Sequence, residues 1–236
     1  MKTDASQSAK SETAESESPA KRRILLVEDH PITRLGLKAV IDQQPDLRVC
    51  DEADDAGKAL QIVSRNPPDL VIADISLKSA NGIELTKNLV AQVPGIPILI
   101  VSMHDETIYA ERALRAGARG YLMKQVAAEK IVDAARCVLR GDIYLSEKSK
   151  ETMLHHMVKK RSDEHVFPID TLSDREMEVF QLIGDGYSTR QIAEKLHLSS
   201  KTIDSYREHL KLKLNLSSGA DLVRHAIEWG RTGRLG

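Results

Sequence analysis

The sequence predicts two folded domains of different class: an α/β domain with a doubly wound parallel sheet, and then an all-α domain of four helices. Up to about residue 140, five short β-branched runs alternate with amphipathic helical stretches. After residue 172 the periodicity is helical throughout, without a strand-like run. The 236 residues suffice for one domain of ordinary size and a smaller one.

The five apolar runs predict buried parallel strands. They are too short for helices and too continuously apolar for a half-exposed sheet. The predicted strands are 24–27, 47–50, 70–73, 96–101 and 121–123.

Amphipathic stretches follow each run and predict the helices that cover both faces of the sheet. Pro31 suits a first helical position, and Gly117 and Gly141 suit helix ends. The predicted helices are 32–43, 56–64, 83–93, 106–116 and 127–140.

The segments outside the two domains are polar. Residues 1–22 lack apolar periodicity and predict a disordered tail. Residues 145–169, which include Pro168, predict a polar linker, irregular or in part helical, between domains 23–144 and 170–236. Because no apolar run follows the first charges and none approaches the roughly 20 residues of a membrane span, we expect neither a secretory signal nor contact with a membrane. A cytoplasmic location is therefore expected.

The C-terminal domain is predicted to contain helices near 173–185, 188–196, 199–214 and 217–231. Each begins at a serine able to cap free backbone amides: Ser173, Ser188, Ser199 and Ser217. The net charge of the chain is −1. Since bulk charge does not single out a nucleic-acid binder, any DNA affinity must come from the local arrangement of side chains.

Chemically active side chains follow the predicted strands of the first domain. The first strand is followed by Glu28 and Asp29, the third by Asp74, the fourth by Ser102, and the fifth by Lys124. In an open parallel sheet these positions meet at the carboxyl edge, where ligands bind. Crowded carboxylates repel one another, and a hard divalent cation with oxygen ligands, most plausibly Mg²⁺, relieves that repulsion.

This cluster predicts phosphoryl transfer to the protein itself. Asp74 would be the nucleophile, Lys124 would pair with the transferred group and Ser102 would donate a hydrogen bond to it. Any one aspartate alone is better explained as the start of a turn. A flavodoxin-like or other phosphate-binding enzyme is the competing interpretation, but it would call for a glycine-rich loop where this chain has EDHP.

Four segments, ILLVEDHP, DLVIADISL, ILIVSMHD and GYLMK, resemble the receiver domain of two-component response regulators, which has a flavodoxin-like fold. The resemblance implies a sensor histidine kinase as phosphoryl donor. It also implies the following roles: Glu28 and Asp29 in the acidic metal pocket, Asp74 as phosphoacceptor, Ser76 as a metal ligand through its backbone carbonyl with an unimportant side chain, Ser102 as switch hydroxyl, Tyr121 as switch aromatic, and Lys124 beside the phosphoryl group.

The same resemblance implies a switch. Phosphorylation would draw Ser102 inward and vacate space for Tyr121 to rotate in, which would reshape the face made by the fourth helix, fifth strand and fifth helix. Ordinary strand packing is the alternative explanation for Tyr121. A vestigial receiver on a phosphorylation-independent DNA-binding regulator also stays open, although the intact acidic residues and Lys124 argue against it.

Residues 188–214 predict two helices joined by a short turn. One helix turns Ile192, Ala193 and Leu196 inward, while the next buries one apolar face and presents a polar face suited to the major groove. The polar face carries Lys201, Asp204, Ser205, Arg207, Glu208 and Lys211.

Residues 170 to about 230 resemble the LuxR-type helix-turn-helix domain of NarL/FixJ response regulators. The resemblance implies that double-stranded DNA is contacted through phosphates by Ser188, Thr189, Arg190, Lys201 and Thr202, and through base edges by Asp204, Ser205 and Glu208, with Ser199, Arg207 and Lys211 completing the set. A packing or dimerisation module is the alternative.

Acidic Asp204 and Glu208 depart from the usual basic or neutral character of such a face. They repel phosphates, so we expect weak, salt-dependent binding by a monomer and a need for a homodimer, formed upon phosphorylation, on paired half-sites. An apolar stripe on the last helix, made of Leu222, Ala226, Ile227 and Trp229, is the predicted dimer contact. The whole sequence predicts a transcription factor rather than an enzyme.

Overall fold

The structure, a computed structural model, describes residues 20–77, 80–159 and 168–232. A five-stranded sheet covered by helices forms the first part, and four helices form the second. Residues 1–19 of the predicted tail lie outside the described residues. The predicted α/β and all-α classes are both confirmed.

The sheet is entirely parallel, and its strands lie in the order β2-β1-β3-β4-β5. Strand order reverses between β1 and β3, which makes their carboxyl ends the expected ligand site. Edge strand β2 runs three residues further than predicted and is partly exposed. The strands are β1 (Arg22–Val27), β2 (Leu47–Ala53), β3 (Leu70–Ala73), β4 (Ile98–Ser102) and β5 (Gly120–Met123).

Helices cover both faces of the sheet. Two apolar cores result: α1 and α5 enclose one, and α2, α3 and α4 help to enclose the other. The receiver-side helices are α1 (Pro31–Asp42), α2 (Ala56–Arg65), α3 (Gly82–Gln92), α4 (Glu106–Ala116) and α5 (Ala127–Leu139).

The predicted linker contains a helix, α6 (Glu147–Lys159), so of the two expectations for this segment the partly helical one is confirmed over this range. The amphipathic pattern of α6 is weak, so the sequence alone does not predict where this helix begins and ends. Contacts with the rest of the domain stabilise this helix. Helix α6 packs against α4, and just before α6 the backbone N–H of Ser146 donates to the carboxylate of Glu106 at 2.7 Å.

Serine caps begin three of the four C-terminal helices as predicted. Ser173 and Ser188 form capping boxes, and the Ser199 hydroxyl accepts from the backbone of Thr202. For the last helix the prediction of Ser217 is wrong by one position, because Ser218 accepts from the backbone N–H of Asp221. The helices are α7 (Asp174–Gly184), α8 (Thr189–Lys195), α9 (Ser200–Lys213) and α10 (Gly219–Thr232).

A tight turn joins α8 to α9. His197 adopts a left-handed conformation with φ of 52°, and the N–H of Leu198 donates to Ala193 at 2.9 Å, which closes the end of α8. The turn sets α9 across α8, the arrangement of a helix-turn-helix.

Most of the predicted dimer stripe on α10 is not an exposed surface, and of its four residues Ile227 is the exposed one. Leu222 and Ala226 are fully buried, and Trp229 is 6% exposed. The rings of Phe180 and Trp229 lie 5.7 Å apart, so this stripe packs against α7 within the same chain. A pattern of apolar residues marks a buried face but does not say what covers it.

Within the described residues, the helices are too short or too polar to cross a lipid bilayer.

The crossing of α7 over α10 gives a first prediction. A Cβ added at Gly184 would lie 2.6 Å from the carbonyl oxygen of Ala226. We expect Gly184→Ala to lower the free energy of unfolding of this domain by about 1–3 kcal/mol, since the two backbones would have to separate. Urea unfolding followed by fluorescence of Trp229, the one tryptophan in the chain, measures it.

Gly230→Ala is the matched control. Gly230 lies on α10 with open space around it, so alanine should stabilise the helix by roughly 0.5–1 kcal/mol. Equal effects of the two substitutions would contradict the close packing at Gly184.

Candidate functional site

Three acidic side chains meet at the carboxyl edge of the sheet. Glu28 and Asp29 follow β1 and Asp74 follows β3, and all three are buried. Backbone hydrogen bonds continue the sheet to these residues: the N–H of Asp74 donates to Val27, and that of Glu28 donates to Ala53. The sheet itself therefore holds the carboxylates together, as predicted.

One ammonium group lies between two of these carboxylates. The Nζ of Lys124, just after β5, is 2.6 Å from Oε2 of Glu28 and 2.7 Å from Oδ2 of Asp74. Burial lowers the pKa of Lys124, but the two carboxylates outweigh this effect and raise it above its usual value. Lys124 is therefore charged, and it offsets part of the repulsion within the cluster.

The remaining carboxylate atoms fit a divalent cation. Glu28, Asp29, Asp74 and His30 each offer a ligand atom within 4.8 Å of the others. Among the described residues Oδ1 of Asp74 has no hydrogen-bond partner. Oδ1 of Asp29 lies 2.7 Å from Nδ1 of His30 in a geometry that makes no hydrogen bond, and it too lacks a partner there. Buried carboxylate oxygens left in this state suit a hard cation such as Mg²⁺.

His30 is the member of this cluster that sequence reasoning missed. It is exposed, and it is the residue before α1, where its side chain makes no capping hydrogen bond. Its position directly after Glu28 and Asp29 is the sequence feature that could have indicated its place in the cluster.

Asp74 has the environment of a buried nucleophile. Burial raises the pKa of Asp74 above its ordinary value, Lys124 opposes this rise, and Glu28 adds to it. A Cβ at Gly82 would lie 1.9 Å from the carbonyl oxygen of Asp74, so only glycine allows α3 to begin this close to Asp74. Asn81 caps α3 by accepting from the backbone of Ile83.

The predicted switch residues Ser102 and Tyr121 are joined through the backbone of His104. The N–H of His104 donates to Ser102 Oγ at 3.3 Å, and the Tyr121 hydroxyl donates to the carbonyl of His104 at 2.9 Å. Ser102 and Tyr121 are both fully buried. The side chain of Tyr121 is therefore already turned inward in this structure. The predicted inward rotation on phosphorylation would require a starting conformation in which Tyr121 points outward.

The expectation that the Ser76 side chain matters little is wrong. Its hydroxyl donates to Oε1 of Glu178 on α7 at 3.0 Å and lies 2.9 Å from Nε2 of His104. The sequence could not reveal this contact, because the partner is a residue of the other domain. His104, Asn81 and Glu178 are further residues around the site that the sequence prediction missed.

The predicted DNA-contacting residues of α8 and α9 are accessible to solvent. All are exposed or half-exposed in the chain. The ammonium of Lys211 lies 2.9 Å from Glu208, which offsets one of the two acidic charges that the sequence places on this face. Arg190 pairs with Glu194 at 3.0 Å on α8.

Comparison with known proteins matches both parts of the chain. Residues 24–136 match the response regulator receiver domain, and residues 170–226 match the LuxR family of bacterial regulatory proteins. The oxygen regulatory protein NreC of Staphylococcus carnosus is 35% identical over 210 residues, covering 87% of this chain and 97% of that protein. The transcriptional regulatory protein DegU of Brevibacillus brevis is 30% identical over 227 residues, covering 89% and 94%.

Solved structures agree with this assignment. A LuxR-family response regulator from Aurantimonas sp. SI85-9A1 is 34% identical with a TM-score of 0.55, and it covers 59% of this chain and 99% of that one. RcsB of Salmonella enterica serovar Typhimurium bound to the rprA promoter shares the fold at 22% identity, with a TM-score of 0.57 and coverage of 88% and 99%. Given the receiver match, the LuxR match and the two full-length relatives, the chain belongs to the NarL/FixJ family of two-component response regulators.

Proposed function

We propose that Asp74 accepts a phosphoryl group from a sensor histidine kinase, and that this modification controls DNA binding by a homodimer. One observation carries the proposal: Asp74 is a buried carboxylate with Oδ2 bound to Lys124 and with Oδ1 free of hydrogen bonds among the described residues. A structural carboxylate would have both oxygens satisfied, whereas a nucleophile needs one oxygen available.

The positions of these groups support the following transfer. An oxygen of Asp74 forms a bond to phosphorus while the bond from phosphorus to the donor's histidine nitrogen breaks, and the electron pair of that bond stays on the nitrogen. Lys124 pairs with the transferred group, and Ser102 donates a hydrogen bond to it. Glu28, Asp29, Asp74 and the backbone of Ser76 would hold Mg²⁺, which neutralises charge on the phosphoryl oxygens.

The output half of the proposal rests on α8 and α9. Helices α8 and α9 begin at the caps Ser188 and Ser199, and the first turns of these helices present exposed Arg190 and Lys201 on the surface. Such a surface suits phosphate contacts, and the middle of α9 supplies side chains for base edges. Because the protein must reach chromosomal DNA, we place it in the cytoplasm. We regard it as a regulator that takes up a phosphoryl group on its own Asp74 and not as an enzyme acting on another substrate.

Phosphate uptake is the direct test. The full chain incubated with Mg²⁺ and acetyl phosphate should acquire one acid-labile phosphate, and Asp74→Asn should acquire none. Chelation of Mg²⁺ should also abolish uptake, since the carboxylates would then repel the anionic donor. Mass spectrometry of the intact protein measures the adduct.

Asp46→Asn is a matched control, because Asp46 pairs with Arg136 away from the carboxyl edge. This variant should take up phosphate as the wild type does. Equal phosphate uptake by Asp74→Asn and wild type would place the acceptor elsewhere and refute the assignment.

Removal of Lys124 gives a second prediction. Lys124→Met should lower the free energy of unfolding by about 3 kcal/mol at neutral pH, because the buried carboxylates of Glu28 and Asp74 lose their counter-charge. Added Mg²⁺ should restore part of that loss by binding the folded state.

Lys130→Met, at an exposed position on α5, is the control. It should change neither the free energy of unfolding nor the effect of Mg²⁺ on it. Urea unfolding followed by circular dichroism, with and without Mg²⁺, measures both variants. A Lys124→Met protein as stable as the Lys130→Met protein would show that the cluster needs no counter-charge.

The DNA face gives a third prediction. Lys201→Ala should weaken binding to all sequences alike and reduce the slope of log K against log salt by about 1, as expected for one lost phosphate contact. Glu208→Ala should instead change the preference among sequences.

Titration of labelled duplexes at several salt concentrations measures both effects, with Arg224→Ala on α10 as the control. Unchanged salt dependence in Lys201→Ala would remove this residue from the phosphate-contacting set.

A further inference from the structure

A histidine ring lies beside the carboxylate pocket, next to an oxygen that lacks a hydrogen-bond partner. Nδ1 of His30 is 2.7 Å from Oδ1 of Asp29 and 3.2 Å from Oε1 of Glu28. The side chain of His30 is 66% exposed, whereas that of Asp29 is 4% exposed. His30 therefore presents one ring nitrogen to buried oxygens and leaves most of its ring in solvent.

The backbone holds His30 in this place. His30 precedes the first residue of α1, Pro31, and has an extended conformation with ψ of 112°. A proline disfavours the helical conformation for the residue before it, so the extended conformation is built into the sequence. The backbone N–H of His30 also donates to Oε1 of Glu28 at 3.1 Å. The ring therefore starts from a fixed point beside the pocket.

The contact between His30 and Asp29 has the spacing of two ligands on one ion. Ligand atoms bonded at roughly 2.1 Å, at right angles to one another, lie about 3 Å apart. Oδ1 of Asp29 accepts no hydrogen bond among the described residues, although the His30 nitrogen is only 2.7 Å away. A hydrogen bond does not explain this contact, whereas a shared cation would.

A second buried oxygen completes a set of three donors. Oδ1 of Asp74 also lacks a hydrogen-bond partner among the described residues, and the cluster of Glu28, Asp29, His30 and Asp74 offers ligand atoms that all lie within 4.8 Å of one another. His30 supplies the nitrogen of this cluster. Lys124 is charged and has no lone pair to give. Whether a nitrogen takes part in binding therefore depends on His30.

The mixed donor set decides which class of ion gains most from the pocket. Mg²⁺ prefers oxygen ligands and keeps several of its waters, so an imidazole nitrogen adds little to its binding. Divalent ions of the later first transition row, such as Co²⁺, Ni²⁺ and Zn²⁺, accept both imidazole and carboxylate and bind imidazole well. His30 should therefore raise the affinity for these ions and leave that for Mg²⁺ nearly unchanged.

We propose that His30 is a metal ligand, and that it makes this pocket bind first-row transition ions more tightly than Mg²⁺. Nδ1 of His30 would hold such an ion together with Oδ1 of Asp29 and Oδ1 of Asp74, and Mg²⁺ would use the same oxygens without the nitrogen. The inference rests on the proposed function for the role of the ion, which is to assist phosphoryl transfer. The binding preference itself does not depend on that role.

Two substitutions remove the nitrogen and leave the carboxylates in place. His30→Asn puts a hard amide oxygen near the position of Nδ1, and His30→Ala removes the donor altogether. Both variants should fold, because asparagine is favoured at a helix N-cap and the ring of His30 makes no capping hydrogen bond that alanine would lose. We expect the affinity for Ni²⁺ to fall at least about tenfold in both, and that for Mg²⁺ to change less than about threefold.

His209→Asn is the matched control for binding of metal to a surface histidine. His209 is exposed on α9, away from the carboxyl edge of the sheet, and its loss should leave both affinities as in the wild type. Competition with a fluorescent chelator measures Ni²⁺ binding by the full chain, and calorimetry measures Mg²⁺ binding, both without a phosphodonor. Excess Mg²⁺ should displace Ni²⁺ from the pocket, which separates this site from histidines elsewhere.

Mn²⁺ gives a direct view of the nitrogen, because it accepts both kinds of ligand and is paramagnetic. The electron spin echo of one Mn²⁺ bound to the wild type should be modulated by a coordinated imidazole nitrogen. The same modulation should be present in His209→Asn and absent in His30→Asn and His30→Ala. A merely structural role of His30 would not change this signal.

The outcomes distinguish this inference from the proposed function. Wild-type Mn²⁺ without nitrogen modulation, or a Ni²⁺ affinity at the Mg²⁺-displaced site that is equal in His30→Asn and wild type, overturns the role of His30. A loss of Ni²⁺ binding in His209→Asn as large as in His30→Asn also overturns it. A wild type that binds these ions as expected but takes up no phosphate from acetyl phosphate supports the ligand role of His30 and overturns the proposed function instead.

Discussion

The repulsion among three buried carboxylates is the constraint on which the rest of this receiver depends. The reversal of strand order between β1 and β3 brings Glu28, Asp29 and Asp74 to one point, and burial removes the water that would screen them. Lys124 offsets only part of this charge. The site is therefore built to gain stability from a cation, and it is sensitive to any further negative charge placed within it.

The same sensitivity explains how a local modification can reach a distant helix. The β3–α3 and β4–α4 loops carry the proposed phosphoacceptor and the predicted switch hydroxyl, and the same loops place Ser76 and His104 beside Glu178. No long pathway through the domain is required, because the output domain already contacts the loops that respond. The contact of α7 with α4 adds to this coupling, since α4 belongs to the face that was expected to change shape.

Periodicity and strand ends were enough to predict most of this molecule. The order of strands and helices, the edge at which Glu28, Asp74 and Lys124 meet, and three serine caps all follow from local patterns and from the geometry of a parallel sheet. The bounds of helix α6 could not be predicted, because tertiary contacts rather than its own sequence stabilise it. Trp229 and Ser76 were misjudged for a related reason: which surface covers an apolar stripe, or which domain supplies a hydrogen-bond partner, depends on packing between segments far apart in the chain.

The accessible polar face of α9 has a consequence for how such a regulator behaves at rest. Lys201, Ser205 and Glu208 are exposed while the two domains are in contact. The receiver therefore does not cover these side chains in this state. Under the proposed function the protein would meet DNA in this state too, and the signal would act on the pairing of two copies. Promoters with well-spaced half-sites would then respond sharply to a stimulus, while isolated half-sites would show a low, constant background that the stimulus scarcely alters.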